Sequence, residues 1–369
     1  MQKAIRWVGI ILLLLGSAVY GFCQATATGT ILGNVTDNTK AIVVGAQVVV
    51  TSTATGLTRT TTTNDSGNYR FDQMSVGTYT VKVSKGGFAT TTITSLELLV
   101  GQTATGNITL KPGTATEVIE VTETAPLVDT TKTSVSQAIP PADVEEIPML
   151  GRDVANLAYL APGVRQTDSY DPTKNRYAIL SVNGQGGRNI NVTVNGVDNK
   201  DSTVGGPVMQ LPLEAVEEFV ISTQRFSAAN GKSEGAAINM VTKSGTNALH
   251  GSLYGFFRDQ ALNHIDKEAE INGSGKSPYS RQQFGGSIGG PIKKDKAFVF
   301  FAIERQREHT SLTEDSNALN QLTLAAAIVP EIKPANVIPT PFFETRYNGR
   351  MDYKFNDRHS AYLSYSSQD

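Results

Sequence analysis

The sequence contains very little cysteine and histidine, the residues on which disulfides and many metal sites depend. Its 369 residues include one cysteine, Cys23, and no closely spaced histidine ligands. A disulfide framework needs pairs of cysteines, and metal-binding histidines recur at short spacings such as H-E-x-x-H. We therefore predict no disulfide framework, no metal site and no cofactor. The dispersed histidines are His250, His264, His309 and His359.

An excess of one charge and the common catalytic motifs are also absent. The 32 basic and 34 acidic residues form no long blocks, so nothing indicates a nucleic-acid partner. The strings Gly231-Lys232-Ser233 and Gly275-Lys276-Ser277 lack the first glycine of a phosphate-binding loop. No G-x-S-x-G nucleophile elbow occurs either. We expect no enzymatic activity.

The N-terminus has the three-part pattern of an export signal. Lys3 and Arg6 precede an apolar run from Trp7 to about Val19, and small and polar residues follow. The run is shorter than the ~20 residues that cross a bilayer, which favours cleavage after Ala25 over a membrane anchor. Lipidation of Cys23 is the weaker alternative, because Phe22 stands where a lipoprotein has a small residue.

Glycine, threonine and valine are abundant, and few stretches have a helical period, so the chain is predicted to be mainly β. Residues 28–112 show the short alternating runs of an all-β sandwich. The Asp65-Ser66-Gly67 segment predicts a tight turn. After the turn, we expect Tyr69 and Phe71 to share one buried face, and likewise Tyr79, Val81 and Val83, with Arg70 and Lys82 pointing outward.

A short alternating strand follows in an otherwise flexible linker. It consists of Glu117, Val118, Ile119, Glu120, Val121 and Thr122. Such a strand can add to the exposed edge of a partner's sheet through backbone hydrogen bonds, which need little sequence specificity. A plain connecting strand fits these residues equally well.

The sequence pattern in the middle of the chain predicts an α+β module. Helical candidates at 139–148 and 151–160 precede strands at 180–182 and 190–194, with Asn195-Gly196 as a sharp hairpin turn. A helix at about 213–218 is then expected to lead into a strand at 219–222.

Beyond Lys243 the pattern becomes that of a transmembrane β-barrel, whose segments of about ten residues alternate apolar and polar side chains. Five strands are predicted, at 249–258, 281–290, 296–305, 346–355 and 358–367. The gaps between them alternate long and short, as barrel loops do, which disfavours a soluble all-β domain. In the fourth strand, Tyr347, Gly349, Met351, Tyr353 and Phe355 share one face, and Arg346, Asn348, Arg350, Asp352 and Lys354 share the other.

Together these motifs resemble TonB-dependent outer-membrane receptors of the Oar-like or acidobacterial type. The 28–112 segment resembles their carboxypeptidase-regulatory-like domain through Asp65, Tyr69, Phe71, Gly77, Tyr79, Val81 and Val83, although Gly67 departs by one position. The middle module resembles their plug domain through Gly151, Arg152, Asn183, Gly184, Asn195, Gly196, Asp198, Gly235, Asn239, Thr242 and Lys243.

The resemblance implies an architecture and a set of partners. We expect a signal peptide at 1–25, a seven-stranded transthyretin-like β-sandwich at 28–112, a linker at 113–134, a plug at 135–245 and the start of a barrel at 246–369. Residues 117–122 would be the TonB box, which binds TonB, itself driven with ExbB and ExbD. The barrel would contact outer-membrane lipid, and an external siderophore, oligosaccharide or peptide would meet a plug loop bearing Asn199, Asp201 and Met209.

Two further expectations concern the completeness of the barrel and the alternative function. Five strands leave two sheet edges whose backbone groups each cost several kcal/mol in hydrocarbon, whereas related barrels have about 22 strands. We therefore expect these residues to be the N-terminal part of a longer receptor and not to transport alone. The alternative is a non-transporting surface protein whose sandwich binds carbohydrate or protein partners.

Overall fold

The computed structural model describes the chain from Thr28 to Asp369 with several gaps. The predicted leader at 1–25, with Cys23, and the two ends of the predicted TonB box, Glu117 and Thr122, lie outside the described residues. No described helix combines the length and the apolar character needed to cross a membrane. The described residues are 28–113, 118–121, 134–140, 143–144, 147, 149–167, 179–203, 205–226, 230–265, 267–271, 276, 278–313, 316–335, 337–356 and 359–369.

Residues 28–113 form a sandwich of two sheets. One sheet has the order β4-β1-β7 with β8 also on β1, and the other has the order β3-β2-β5-β6-β9. Because β7 and β8 follow one another along the same strand, β1, they count as one interrupted strand. Residues 28–113 therefore contain seven strands, as predicted, and β9 adds an eighth from beyond residue 113. The strands are β1 (Thr28–Asp37), β2 (Gln47–Ser52), β3 (Thr58–Thr62), β4 (Asn68–Ser75), β5 (Gly77–Ser84), β6 (Thr90–Leu98), β7 (Thr103–Thr105), β8 (Ile108–Leu110) and β9 (Val118–Val121).

The sandwich core is built from the alternating side chains predicted for it. Tyr69 and Phe71 are buried and meet edge to face, and Gly67 forms the preceding turn with a φ of 73°. The Tyr69 hydroxyl donates a 2.6 Å hydrogen bond to the Gly106 carbonyl, which satisfies a polar group that burial would otherwise leave unpaired. Tyr79, Val81 and Val83 are also buried, whereas Arg70 and Lys82 are exposed, as expected.

The plug is a five-stranded sheet packed against short 3-10 helices. Its order is β10-β15-β16-β13-β14, with a separate hairpin of β11 and β12. The strands are β10 (Val135–Ile139), β11 (Val164–Gln166), β12 (Leu180–Val182), β13 (Ile190–Val194), β14 (Val197–Asp198), β15 (Val216–Gln224) and β16 (Ala236–Thr242). The 3-10 helices are Leu150–Arg152, Val154–Leu160, Gly187–Asn189 and Leu213–Ala215.

Two predictions for the plug are wrong. Ile139, expected to begin a helix, ends strand β10, which pairs with β15. The helix expected at 213–218 is a single 3-10 turn, Leu213–Ala215, and Val216 already belongs to β15. The reason is that β15 pairs with β10 on one side and β16 on the other. Such pairing outweighs the weak intrinsic preference of one or two helical turns.

The C-terminal part of the chain forms one antiparallel sheet with the order β17-β18-β19-β22-β23. The five strands fall where they were predicted and most are longer. Long connections at 260–279 and 310–341 alternate with short ones at 294–296 and 355–359, which confirms the predicted loop pattern. The elements are β17 (His250–Asp259), α1 (Lys267–Ile271), β18 (Ser280–Lys293), β19 (Ala297–His309), β20 (Ser311–Thr313), α2 (Ser316–Ala326), β21 (Val337–Pro339), β22 (Phe342–Lys354) and β23 (Ser360–Gln368).

This barrel sheet has two different faces. Leu253 and Leu363 on one face are 94% and 73% exposed, and Met351 and Tyr365 are also exposed there. On the opposite face, Arg346 is 2% exposed and Asn348 is completely buried. A protein surface that exposes large apolar side chains in this continuous way is suited to lipid rather than water. The predicted division of β22 into an apolar and a polar face is therefore confirmed.

Glycine is required where the connection between β7 and β8 passes close to β1. Gly33 in β1 is buried, and a methyl group at this position would overlap the Gly106 carbonyl and lie 2.7 Å from a ring carbon of Tyr69. We expect Gly33→Ala to destabilise the sandwich by about 1–3 kcal/mol, the usual cost of overpacking a core. Urea titration monitored by hydrogen exchange of residues 28–113 in the full chain measures the change.

Gly86→Ala is the matched control. A methyl group there would have no atom within 4 Å, so the urea midpoint should stay unchanged. Equal midpoints for the two variants would contradict the close approach at Gly33.

Candidate functional site

The candidate site is the contact between the plug and the polar face of the barrel sheet, with Arg346 at its centre. Arg346 lies in β22, directly opposite Glu304 of β19 in the strand register. Alternation along β22 puts Glu344 on the same face as Arg346. Asp153 reaches this face from the plug, where it joins two 3-10 helices. We call these four residues the Arg346 cluster.

The guanidinium of Arg346 is bound by all three carboxylates of the cluster. Its Nε and Nη2 donate to the two oxygens of Glu344 at 2.8 and 3.0 Å. Its Nη1 donates to Glu304 at 3.1 Å, and Nη2 also donates to Asp153 at 3.0 Å. The two-pronged contact with Glu344 is the geometry that makes arginine–carboxylate pairs strong and directional. The bond from Nη2 to Asp153 joins the barrel sheet to the plug.

The charges of the Arg346 cluster are buried, so each of them needs a nearby partner of opposite charge. Desolvation raises the pKa of the Asp153 carboxyl above its usual value, while the charge of Arg346 acts in the opposite direction. A second cation, Arg281 of β18, lies close by and donates to the Gly151 carbonyl of the plug at 2.7 Å. Removing one partner of a buried ion pair typically costs about 3–5 kcal/mol, because the other charges stay buried without compensation.

A second polar contact joins the plug to β17. Arg152 donates to Glu214, also in the plug, at 2.9 Å, and Glu214 accepts a 3.1 Å bond from the Ser252 hydroxyl of β17. The Arg152 guanidinium lies 4.7 Å from the ring centres of both Tyr254 and Phe256. Cations over aromatic faces are attracted by the ring quadrupole, so Arg152 is held by an anion and two rings at once.

The plug also contacts the other end of the sheet. Arg350 of β22 donates to the Thr242 carbonyl at 2.8 Å, and the Gln210 amide donates to the Gln368 side chain of β23 at 2.7 Å. Ala215 of the plug packs against Phe300 and Ala302 of β19. The plug therefore contacts all five strands of the barrel sheet, β17, β18, β19, β22 and β23.

Several of the predicted plug-motif residues shape the plug internally. Asn195 and Gly196 form the hairpin turn with φ values of 51° and 82°, the left-handed conformation that such a turn requires. The Asn195 side chain donates to the Thr242 hydroxyl at 2.8 Å and accepts from the Thr242 amide at 3.0 Å. Asn239 accepts from the Gly196 amide at 3.3 Å. These bonds attach the β13–β14 hairpin to β16.

The remaining motif residues have similar structural positions. Asn183 and Gly184 form a second left-handed turn, with φ values of 51° and 82°. The Gly235 amide donates to the Asn189 carbonyl at 2.9 Å, and the Lys243 amide donates to the Ala215 carbonyl at 2.8 Å. Among the motif residues, the described contacts connect Gly151, Arg152 and Thr242 to the barrel sheet.

The predicted substrate loop is held closed by its own residues. Asn199 is buried, and its side chain donates to the Met209 carbonyl at 2.9 Å and accepts from the Met209 amide at 3.1 Å. Asp201 accepts from the Thr203 amide at 2.8 Å. Beside the loop, Asp198 pairs with Lys232, and this hydrogen bond lowers the pKa of the Asp198 carboxyl. The structure thus gives Asn199 a structural role, and a ligand contact at this loop stays a prediction.

The predicted TonB-box strand is present but not free. Residues Val118–Val121 form β9, which pairs in parallel with β6 of the sandwich. The predicted strand within an otherwise flexible linker thus extends a sheet of the sandwich. The reason is that a short alternating segment close to an exposed sheet edge can satisfy its backbone groups there. Binding to TonB stays a prediction.

Sequence reasoning did not identify the Arg346 cluster as a site. The sequence feature that pointed to it was the polar face of β22, whose charged side chains include Arg346 and Arg350. Its partner Asp153 lies 193 residues away, a separation that no local pattern bridges. Within the described ranges, no group of three or more His, Cys, Asp or Glu side chains is arranged to hold a metal ion.

Models of known protein families match the sandwich and the beginning of the barrel sheet. Residues 30–111 match the carboxypeptidase regulatory-like domain model, and residues 241–331 match an outer membrane beta barrel domain model. The chain is 28% identical over 384 aligned residues to the TonB-dependent transporter Oar of Myxococcus xanthus. That alignment covers 98% of this chain and 35% of the transporter, so the chain spans about a third of its relative's length.

Two solved structures are also similar. The outer membrane transporter YddB from Escherichia coli has a TM-score of 0.47 at 12% identity, covering 62% of this chain and 32% of the other. The siderophore receptor PirA from Acinetobacter baumannii has a TM-score of 0.44 at 19% identity, covering 65% and 32%. The predicted resemblance is confirmed: this chain resembles TonB-dependent outer-membrane receptors of the Oar type that carry a carboxypeptidase regulatory-like domain.

Proposed function

We propose that this chain forms part of a TonB-dependent receptor that takes up an external ligand across the outer membrane. One observation carries the proposal. The barrel sheet exposes large apolar side chains on one face, while its opposite, polar face contacts the plug and is fixed to it through the Arg346 cluster. A plug held against the inner wall of a lipid-facing sheet is the arrangement expected of a gated passage.

Energy is needed because the contact is strong. Moving the plug away from β22 separates Asp153 from Arg346 in a buried setting, where losing a partner costs several kcal/mol. Thermal motion alone breaks such a contact rarely. In our proposal, TonB with ExbB and ExbD binds residues 117–122 and pulls, and the plug rearranges. The ligand would be a siderophore, an oligosaccharide or a peptide that binds from outside.

The position of the sandwich supports its placement in the periplasm. The Ala54 carbonyl of the sandwich accepts a 2.9 Å bond from the Asn247 amide, at the entry to the barrel sheet. Asn247 in turn bonds Asp295 in the short 294–296 turn. Short turns of outer-membrane barrels face the periplasm. The sandwich therefore lies at the end of the barrel sheet that carries the short turns. In our proposal this end faces the periplasm, where TonB would reach it.

The alternative, a surface protein whose sandwich binds carbohydrate, has less support. Sugar-binding surfaces use exposed aromatic rings, whereas Tyr69, Phe71 and Tyr79 belong to the sandwich core. The structure describes all of residues 28–113, and no aromatic side chain in that range is fully exposed. We therefore favour a role for the sandwich as a periplasmic domain attached to the plug and the barrel sheet.

Removing the central arginine tests the plug contact. We expect Arg346→Ala to destabilise the plug contact by about 3–5 kcal/mol, because three carboxylates lose their shared cation. The measurement is the urea concentration at which trypsin begins to cleave within residues 149–167 of the full chain. Arg70→Ala is the control, since its pair with Asp72 is exposed, and it should leave the same cleavage midpoint unchanged. Equal midpoints for both variants would contradict the claim that the Arg346 cluster holds the plug against the barrel sheet.

A pull-down tests the coupling to TonB. A peptide of residues 114–125 should capture the periplasmic domain of TonB, because an extended strand can add to the edge of a partner's sheet. The Val118→Pro peptide should capture much less, since proline removes a backbone donor and disrupts strand pairing. Equal capture by both peptides, or by neither, would contradict the assignment of the TonB box.

A further inference from the structure

Strand β9 occupies the edge of the sandwich sheet formed by β6. The two strands are parallel, and four residue pairs define their register: Thr90 with Val118, Thr91 with Ile119, Thr92 with Glu120, and Ile93 with Val121. The other side of β6 is paired with β5. The central residues of the predicted TonB box are thus already engaged as an added strand, the binding mode that a TonB partner would itself use.

Strand β6 is itself fixed to the plug. It ends at Leu98 and leads into a turn in which the Val100 amide donates to both carboxylate oxygens of Glu218, at 3.0 and 2.9 Å. Glu218 lies in β15 and is 1% exposed. Val100 also packs with Val220 and Val241 of the plug. Together with the Ala54–Asn247 bond, these contacts attach the sandwich to both the plug and the barrel sheet.

This attachment determines where a pull on the box would act. While β9 is paired with β6, force applied to it is carried by the sandwich and its anchors at Val100 and Ala54. Residues 122–134 separate β9 from β10, the first strand of the plug. Force reaches β10 directly only after β9 has left β6. A ladder of four residue pairs is short enough for a competing strand to replace, because each backbone hydrogen bond contributes little net stability.

We propose that the β6 edge of the sandwich is a binding site for the chain's own TonB box and competes with TonB for residues 118–121. This inference rests on the proposed function, since it assumes that TonB recognises these residues. The sandwich then acts as a clamp that holds the box when TonB is not engaged. TonB binding requires β9 to leave β6, and the freed box then transmits the pull to β10.

A reversible disulfide across β6 and β9 tests the clamp. Thr92→Cys and Glu120→Cys occupy paired positions, and Cys23→Ser removes the sequence's only native cysteine. The full chain is titrated with the periplasmic domain of TonB before and after reduction. We expect the oxidised chain to bind at least tenfold more weakly than the reduced chain. The control disulfide, Gln47→Cys with Thr62→Cys, joins the exposed β2–β3 pair of the same sheet and should not change the affinity on reduction.

The free peptide of residues 114–125 separates the two hypotheses. It should bind the TonB domain at least as tightly as the reduced chain, because no clamp opposes it. Failure of both the peptide and the reduced chain to bind would overturn the proposed function. If both bind and oxidation changes nothing, TonB recognition stands and the clamp is wrong.

A second measurement needs no disulfide. Nitroxide labels at Lys82→Cys in β5 and Glu120→Cys in β9 flank β6 in the same register, and strands two apart lie about 10 Å from each other. Their dipolar broadening should be present in the chain alone and disappear when TonB saturates it. Broadening that persists in the TonB complex would contradict displacement of β9 from β6.

Discussion

The structure depends on a single buried guanidinium that three carboxylates share. Glu304 and Glu344 fix Arg346 within the barrel sheet, and Asp153 brings the plug to it. A cation with five donors in a rigid plane can satisfy several acceptors in fixed directions, which sets the position of the plug as well as its affinity. The same contact helps to explain why Arg346 can be buried, since its charge is paired with two carboxylates of the sheet and one of the plug.

The motif residues that made the resemblance recognisable mostly serve the plug's own geometry. Asn195 and Gly196 adopt left-handed turn conformations, and Asn195 bonds both the amide and the hydroxyl of Thr242. Such positions accept few residue types, which makes them visible in a sequence. Gly151, Arg152 and Thr242 also contact the barrel sheet. Of these, Arg152 does so through its side chain, whose guanidinium lies over the rings of Tyr254 and Phe256 while it pairs with Glu214 in the plug.

Properties set by local alternation could be predicted from the sequence, whereas those set by distant pairing could not. The buried Tyr69 and Phe71, the faces of β22 and the alternating loop lengths all follow from period-two patterns and turn residues. Ile139, the last residue of β10, was expected to begin a helix, because only the pairing of β10 with β15 places this residue in a strand. The pairing of β9 with β6 and the ion pair between Asp153 and Arg346 likewise join distant segments. The local sequence of one segment does not indicate the other.

The central claim, that one face of the barrel sheet meets lipid and the other meets the plug, can be measured along a single strand. Cysteines placed one at a time from Tyr347 to Tyr353, in a Cys23→Ser background, would carry nitroxide labels, and the collision rate of each label with oxygen dissolved in the membrane would be measured. We predict frequent collisions at 347, 349, 351 and 353 and rare collisions at 348, 350 and 352. Equal collision rates along the strand, or the opposite alternation, would contradict the two-faced sheet.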